Sequence, residues 1–553
     1  MAKVSFDSFE QRMKLYKTAI EDLAYYEFEF EQAYRFAFPN RNRWYRKEDK
    51  AFKVDKSSYH WDSTAIEGLQ QFASNMQTLL MPMSQNWFRF KPGCEYAYDQ
   101  GNPYSAPIEK ALDVMTKTVL QYLRSSNLNL EANLAIQDCG ISTGLLQISI
   151  DPANKTSPIS FEAIPMYQVA IGEYKGRIEN VWRKFKIKAK DILNYWPKGK
   201  LNDVLNRIIN INPNEEVELI EGTVFYPSNP ENSRYLYTVS HEDSNFDVVF
   251  EPRSWSPWIP FRFNLSSGEV WGCGPVRSGL SAIRMANMLV ELEMTHVSYN
   301  VQMPMLNEAG SILNAHTMKL TPGAILTVNS LQVPPLVPLQ VTGDLKFSQM
   351  ALSELQQHIR DMLFADPIGP VGNDQTATEI QVRDRNSIKR NNAAFSRMEN
   401  ELNYPVIKKT TEILALHDLL PDFQVGSTGM EFKIDGKNVD IHLSSPLRTI
   451  QKQEEVQAIQ GYYQTLASIL GQAGVLGGTN IAMLPQILAD KMDIPPALVK
   501  SEGEVIQVIQ QILQAQQPQP QPQVPPGMPQ QPGGQPSQAQ VAQQNMQQLL
   551  QPQ

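Results

Sequence analysis

The stretch "FADPIGPVGNDQTATEIQVRDRN" (364–386) carries a broken loop directly into the start of a long helix. Pro367, Gly369, Pro370 and Gly372 crowd into its first half. Proline fixes φ and withholds a backbone donor, and glycine loses the most entropy on becoming helical. The chain is therefore expected to break over 365–375. Just before the break, "KFSQMALSELQQHIRDMLF" (346–364) puts Leu352, Leu355, Ile359, Met362 and Leu363 on one helical face. Ser353, Glu354, Gln357, Arg360 and Asp361 fall on the other. After the break, Asp374 or Thr376 can cap a helix with an apolar line at Ile388, Phe395, Met398, Leu402, Val406, Ile413 and Leu416. Pro405 predicts a kink near 401–405. At about 1.5 Å per residue, this run of roughly forty residues spans on the order of 60 Å, suiting a molecule-crossing strut.

At 553 residues, the chain is too long for one compact domain. Its 49 Lys+Arg against 58 Asp+Glu leave a formal charge of -9, which argues against general polyanion binding. Apolar residues make up 42%, enough for sizeable cores, yet no run is long enough to span a membrane. "MAKVSFDSFEQRMKLYK" has no apolar core segment, so no secretory signal is expected. Cys94, Cys139 and Cys273 are far apart and suggest neither a disulfide framework nor a zinc site.

Helices are expected at 5–37, 61–83, 104–124 and 129–140. Asp62, Ser63 and Thr64 are capping types for the second, and its Ala65, Gly68, Ala73 and Ser74 permit close packing. Between the first two, "NRNRWYRKEDK" (40–50) reads as a solvated connector rather than a phosphate contact. "NWFRFKP" (86–92) alternates like a strand. From 144 to about 264, short β-branched and aromatic runs punctuated by Gly, Pro and Asn predict strands, interrupted by one helix at 189–196. One long helix is expected over 275–301, then a proline-rich stretch (302–345). Beyond the strut lie a strand-like patch (430–445) and helices at roughly 446–471, 479–492 and 495–515. The Gln/Pro-rich tail from 516 cannot bury a core. The fold class is mainly α with an α+β insert.

The motifs carry little chemistry. "WGCGP" (271–275) lacks the Lys-Ser/Thr of a phosphate loop and reads as a turn before a helix. "DGKNVD" (435–440) lacks the acid ligands of a calcium loop. Glu354 and His358 read as a solvated i,i+4 pair. No catalytic constellation, cofactor site or metal site is expected.

The order of elements is more informative. Four stretches, "WDSTAIEGLQQFASNMQTLLMPMSQNWFRF", "SFEAIPMYQVAIGEYKGRIENVWRKFKIKAKDI", "GCGPVRSGLSAIRMANML" and "TATEIQVRDRNSIKRNNAAFSRMENELNYPVIKK", cover about 60–415. In this order they resemble the head-to-tail connector (portal) proteins of short-tailed phages, the podoviruses. The resemblance implies a portal fold: wing (1–274), stem helices (275–300 and 346–364), clip (301–345) and tunnel loop (365–375). A long wing helix and strand patch (376–445), a helical crown (446–515) and the tail (516–553) complete it.

It also implies a function. A twelve-subunit homo-oligomeric ring at one capsid vertex of the virion, made in the host cytoplasm, would pass double-stranded DNA during packaging and ejection. Implied partners are a terminase motor, a tail adaptor, the major capsid protein and scaffolding or internal core proteins, with no membrane and no enzymatic activity. Channel candidates are Lys346, Arg360, Asp366, Pro367, Ile368, Gly369, Pro370, Val371, Arg383 and Arg385. Docking candidates in the clip are Asn314, His316, Lys319, Pro334 and Pro335. The competing readings are another virion component, such as an internal core or tail protein, and a multidomain enzyme whose site assembles only on folding.

Overall fold

The computed structural model describes residues 8–41, 60–93, 105–151, 154, 157–226, 234–301, 305–307, 336–338, 345–365, 392–420, 424–425, 428–429, 439–444, 455–469, 483–491 and 505–507. The chain divides into two units, Met1–Glu454 and Glu455–Gln553. The first opens with α1 (Phe9–Ala37), α2 (Thr64–Leu80), strand β1 (Phe88–Pro92), α3 (Ser105–Ser125) and α4 (Leu128–Ile141). These lie close to the periodicities read from the sequence. The capping expectation fails in detail. Ser63 precedes α2 but makes no side-chain cap bond, and its hydroxyl bonds Glu67 instead. Ala65, Gly68 and Ala73 are buried as close packing requires, whereas Ser74 faces out and bonds the Gln70 carbonyl.

Strands β2 (Thr143–Ile150), β3 (Ile159–Ala163) and β9 (Trp258–Arg262) form an antiparallel sheet in the order β3-β2-β9. In β3 the alternation is visible: Ile159, Phe161 and Ala163 are buried, Ser160 and Glu162 exposed. Five consecutive antiparallel strands make a second sheet: β4 (Val169–Tyr174), β5 (Arg177–Lys188), β6 (Glu216–Phe225), β7 (Tyr235–His241) and β8 (Phe246–Arg253). The expected helix at 189–196 is a 3-10 turn (Ala189–Asp191) leading into α5 (Ile192–Tyr195). A second helix, α6 (Asp203–Ile211), was not expected. The Asn202 side chain caps it by accepting from the Leu205 N–H at 2.9 Å.

That extra helix exists because the five-stranded sheet has two apolar faces. On one, Leu219, Tyr237, Val239 and Val248 pack with Leu205 of α6. On the other, Ala170, Trp182, Ile220 and Val224 pack with Met13 and Tyr16 of α1. Each face must be covered for the strands to be stable. The main core lies elsewhere, where Phe72, Trp87, Phe88, Trp258, Phe261, Phe263 and Trp271 are all fully buried.

The expected long helix over 275–301 is two: α7 (Pro275–Ser278) and α8 (Leu280–Val301), broken at Gly279. Short strands Met305–Asn307 and Leu336–Pro338 pair antiparallel within the proline-rich stretch. Then come α9 (Leu345–Met362), α10 (Asn392–Met398) and α11 (Tyr404–Leu416). The kink expected from Pro405 takes the form of a π-turn at Glu399–Asn403, immediately before it. A widened turn is how a helix accommodates a proline that cannot donate. The start of the long helix near 376 lies outside the described residues. Strand β10 (Val439–Leu443) pairs with β1, Phe88 opposite Leu443, closing the unit across some 350 residues of chain. In the second unit, 455–469 and Leu484–Lys491 are helical, as are 505–507.

Candidate functional site

The two helices flanking the proline-rich stretch run antiparallel. Gly279 lies against Met362, and far along the pair Ser348 Oγ bonds Glu293 Oε1 at 2.7 Å. Sequence explains the inner face of α9: Ile359 and Leu363 are buried, Leu352, Leu355 and Met362 half-buried, while Ser353, Glu354, Gln357 and Asp361 face out. Arg360, expected among these, is half-buried at the margin.

A polar staple fixes the root of the pair. Asn287 Oδ1 on α8 accepts the backbone N–H of Trp61 at 2.9 Å and of Asp62 at 3.2 Å. Asp62 Oδ1 in turn accepts from Gln356 Nε2 on α9 at 2.9 Å and from Thr64 Oγ1. The corner before α2 thus holds both helices. Asp62, expected to cap a helix, works between helices instead. Arg277, on α7, is nearly buried and pairs with Glu29 and Glu269, both at 2.9 Å, with its guanidinium over Tyr26. Desolvation works against its charge, but hydrogen bonds to Glu29 and Glu269 hold its pKa above the ordinary value.

The "WGCGP" turn is set by close approach. Cys273 bridges to Asn264, and Pro275 takes the first-turn position of α7. A Cβ on Gly274 would lie 2.1 Å from the Gly140 carbonyl oxygen, so only glycine lets this turn seat on the end of α4. The neighbouring Cys139 is buried, and burial pushes its thiol well above the usual range.

Where α9 ends, the backbone turns at Phe364 with φ of 53°, a conformation unfavourable for a bulky residue. Its carbonyl accepts from Asn75 Nδ2 at 2.8 Å, and its ring sits among Phe72, Phe263 and Phe395. Ala365 is buried beside it. The chain therefore leaves α9 from a clamped point. Beyond it, Asp366, Pro367, Ile368, Gly369, Pro370, Val371, Arg383 and Arg385 lie outside the described residues, as do Asn314, His316, Lys319, Pro334 and Pro335. Lys346 is in the first turn of α9. Glu354 and His358 are both exposed, and no group of three or more potential metal ligands occurs among the described residues.

Sequence reasoning missed Asn75, Asn287, Gln356 and Glu401. Arg262, with its side chain 3% exposed, pairs with Glu401 at 2.8 Å and fastens the π-turn to β9. An acid within an apolar-lined helix segment was the signal for Glu401; amides that bond across hundreds of residues leave none. A further feature is an exposed face of α8. Met285, Met288, Leu292 and Tyr299 form one stripe and are 49–59% exposed, while Ile283 and Ala286 on the other side are buried.

The sequence profile of a family described as bacteriophage head to tail connecting protein matches residues 10–499. A curated protein of Bordetella phage BPP-1, named a probable portal protein, is 19% identical over 510 residues, covering 87% of this chain and 85% of its own. A solved chain from the neck of an empty GTA particle, computed with C6 symmetry, is similar at 11% identity and a TM-score of 0.31, over 79% of this chain and 91% of that one. With residues 10–499 of its 553 matched, the chain belongs to the bacteriophage head to tail connecting protein family.

Proposed function

We propose that copies of this chain assemble, twelve to a ring, into the portal at one vertex of a phage capsid. Its channel carries double-stranded DNA in during packaging and out during ejection. The observation that carries the ring is the α8 stripe. Large apolar side chains repeated along one helix face, away from the core, mark a surface that is covered in an assembly. In this reading the α8–α9 pair is the stem, and the stretch between them is the clip, which docks the packaging motor and later the tail adaptor. Residues 365–375 form the tunnel loop, launched from the clamp at Phe364. Lys346, Arg360, Arg383 and Arg385 supply isolated cations in an otherwise acidic tube. DNA slides through such a tube, because each phosphate neutralised adds salt-dependent affinity.

Purified protein viewed by negative stain should show rings with an axial hole. Replacing Met288 and Leu292 by Glu should lower the fraction of rings, with helix content unchanged. A wild-type chain that stays near 62.5 kDa at all concentrations would refute the ring, and a fibre would favour another virion component.

A further inference from the structure

On the face of the five-stranded sheet opposite α1, a cleft of about 970 Å³ opens between the sheet, β9 and the π-turn. Its lining carries six cationic side chains against three carboxylates, a local excess of positive charge in a chain of net charge -9. Arg262 and Glu401 cancel each other, and Lys409 donates to the Trp258 carbonyl. Glu179 is occupied by the Tyr235 hydroxyl at 2.6 Å, and among the described residues Lys408 reaches only Glu412, at 3.9 Å. Arg177 and Arg234 are exposed and Arg397 is half-buried; none of the three forms an ion pair among the described residues. Trp255 and Tyr404 add half-buried aromatic walls. A guest for this cleft is acidic and aromatic.

The chain presents such a guest itself. On α1, Glu21, Asp22, Tyr25 and Phe28 share one helix face and are all exposed, Tyr25 to 82% and Phe28 to 69%. Neither acid is ion-paired among the described residues. The same helix, through Met13 and Tyr16, covers the sheet face opposite to the cleft. A single copy therefore carries a plug and a socket on different sides. Such a pair is head-to-tail, the kind of contact that builds a ring when its rotation closes.

We propose that the acidic–aromatic stripe of α1 on one subunit docks in the basic cleft of its neighbour. Glu21 and Asp22 meet Arg397 and Lys408, and Tyr25 and Phe28 offer their rings to the arginines. The contact rests on the ring reading and adds to it a wing-level contact distinct from the α8 stripe. It fixes which neighbour each subunit accepts, because opposed charges steer encounter and like charges reject it.

The test is a charge exchange. Glu21→Lys with Asp22→Lys makes the plug basic; Arg397→Glu with Lys408→Glu makes the socket acidic. Mass photometry across a concentration series, with circular dichroism to confirm folding, should show each pair raising the half-assembly concentration about tenfold or more. All four substitutions in one chain should bring it back to within about threefold of wild type. If either pair assembles as wild type does, or the four together do no better than the two losses multiplied, the docking is wrong while the ring stands. A wild type that forms no ring overturns both. A fluorescent 20-base-pair duplex bound by wild type and released in the socket variant, with assembly unaltered, would give the cleft to nucleic acid and overturn the proposal.

Discussion

Replacing Gly274 by Ala should loosen the joint between α4 and the helix pair. The new Cβ would stand 2.1 Å from the Gly140 carbonyl oxygen and 2.7 Å from that of Cys139. Ordinary contact begins near 3.4 Å, so the turn must retreat by about 1 Å or more. Both obstacles are backbone atoms, which cannot swing aside. The retreat also strains the bond from the Gly274 N–H to the Ile141 carbonyl, now 3.1 Å. Overpacking costs about 1–3 kcal/mol and the hydrogen bond about 1 kcal/mol, giving roughly 3 kcal/mol in all. Every 1.4 kcal/mol is about tenfold, so amide hydrogen exchange in peptides covering 271–283 should accelerate roughly a hundredfold. Gly279→Ala is the control. There the Cβ meets the Cε and Sδ of Met362, the free end of an unbranched side chain that can turn away. Its cost should be under about 1 kcal/mol, below fivefold in exchange. If Gly274→Ala exchanges within threefold of wild type, or Gly279→Ala is the worse of the two, the close-approach argument fails.

Asn75→Ala removes the side-chain donor to the Phe364 carbonyl and should cost about 1 kcal/mol, seen as roughly fivefold faster exchange over 359–365 with little change elsewhere. An effect spread evenly over the chain would mean that no local clamp exists. Glu221 offers a pH test. It is buried, accepting from the Tyr237 hydroxyl and Gln147 at 2.7 Å, and burial raises its pKa above the ordinary carboxylate value. A raised folded-state pKa means stability present at low pH and lost as pH rises through that value. Glu221→Gln keeps the shape and removes the charge, so its melting temperature relative to wild type should climb from acid toward neutral pH. Parallel curves would show that Glu221 titrates as it does in the unfolded chain.

Much of this protein was legible before folding. The apolar spacing of 346–364 set the inner face of α9, because a helix repeats every 3.6 residues whatever it packs against. The alternation of 159–163 set the two sides of β3 for the same local reason. Even the turn at 271–275 could be read as a turn. What glycine does there could not, because the carbonyl it approaches belongs to Gly140, far away in sequence. The same holds for Asp62, whose local context says cap and whose partner is Gln356. The break at Gly279 and the second helix over the five-stranded sheet were likewise decided by neighbours in space. Pattern within a dozen residues records backbone period and terminal chemistry, and that determined the elements and their order. Which polar groups meet, how closely two backbones approach and which faces stay uncovered depend on contacts between distant segments, and only the tertiary structure decided those.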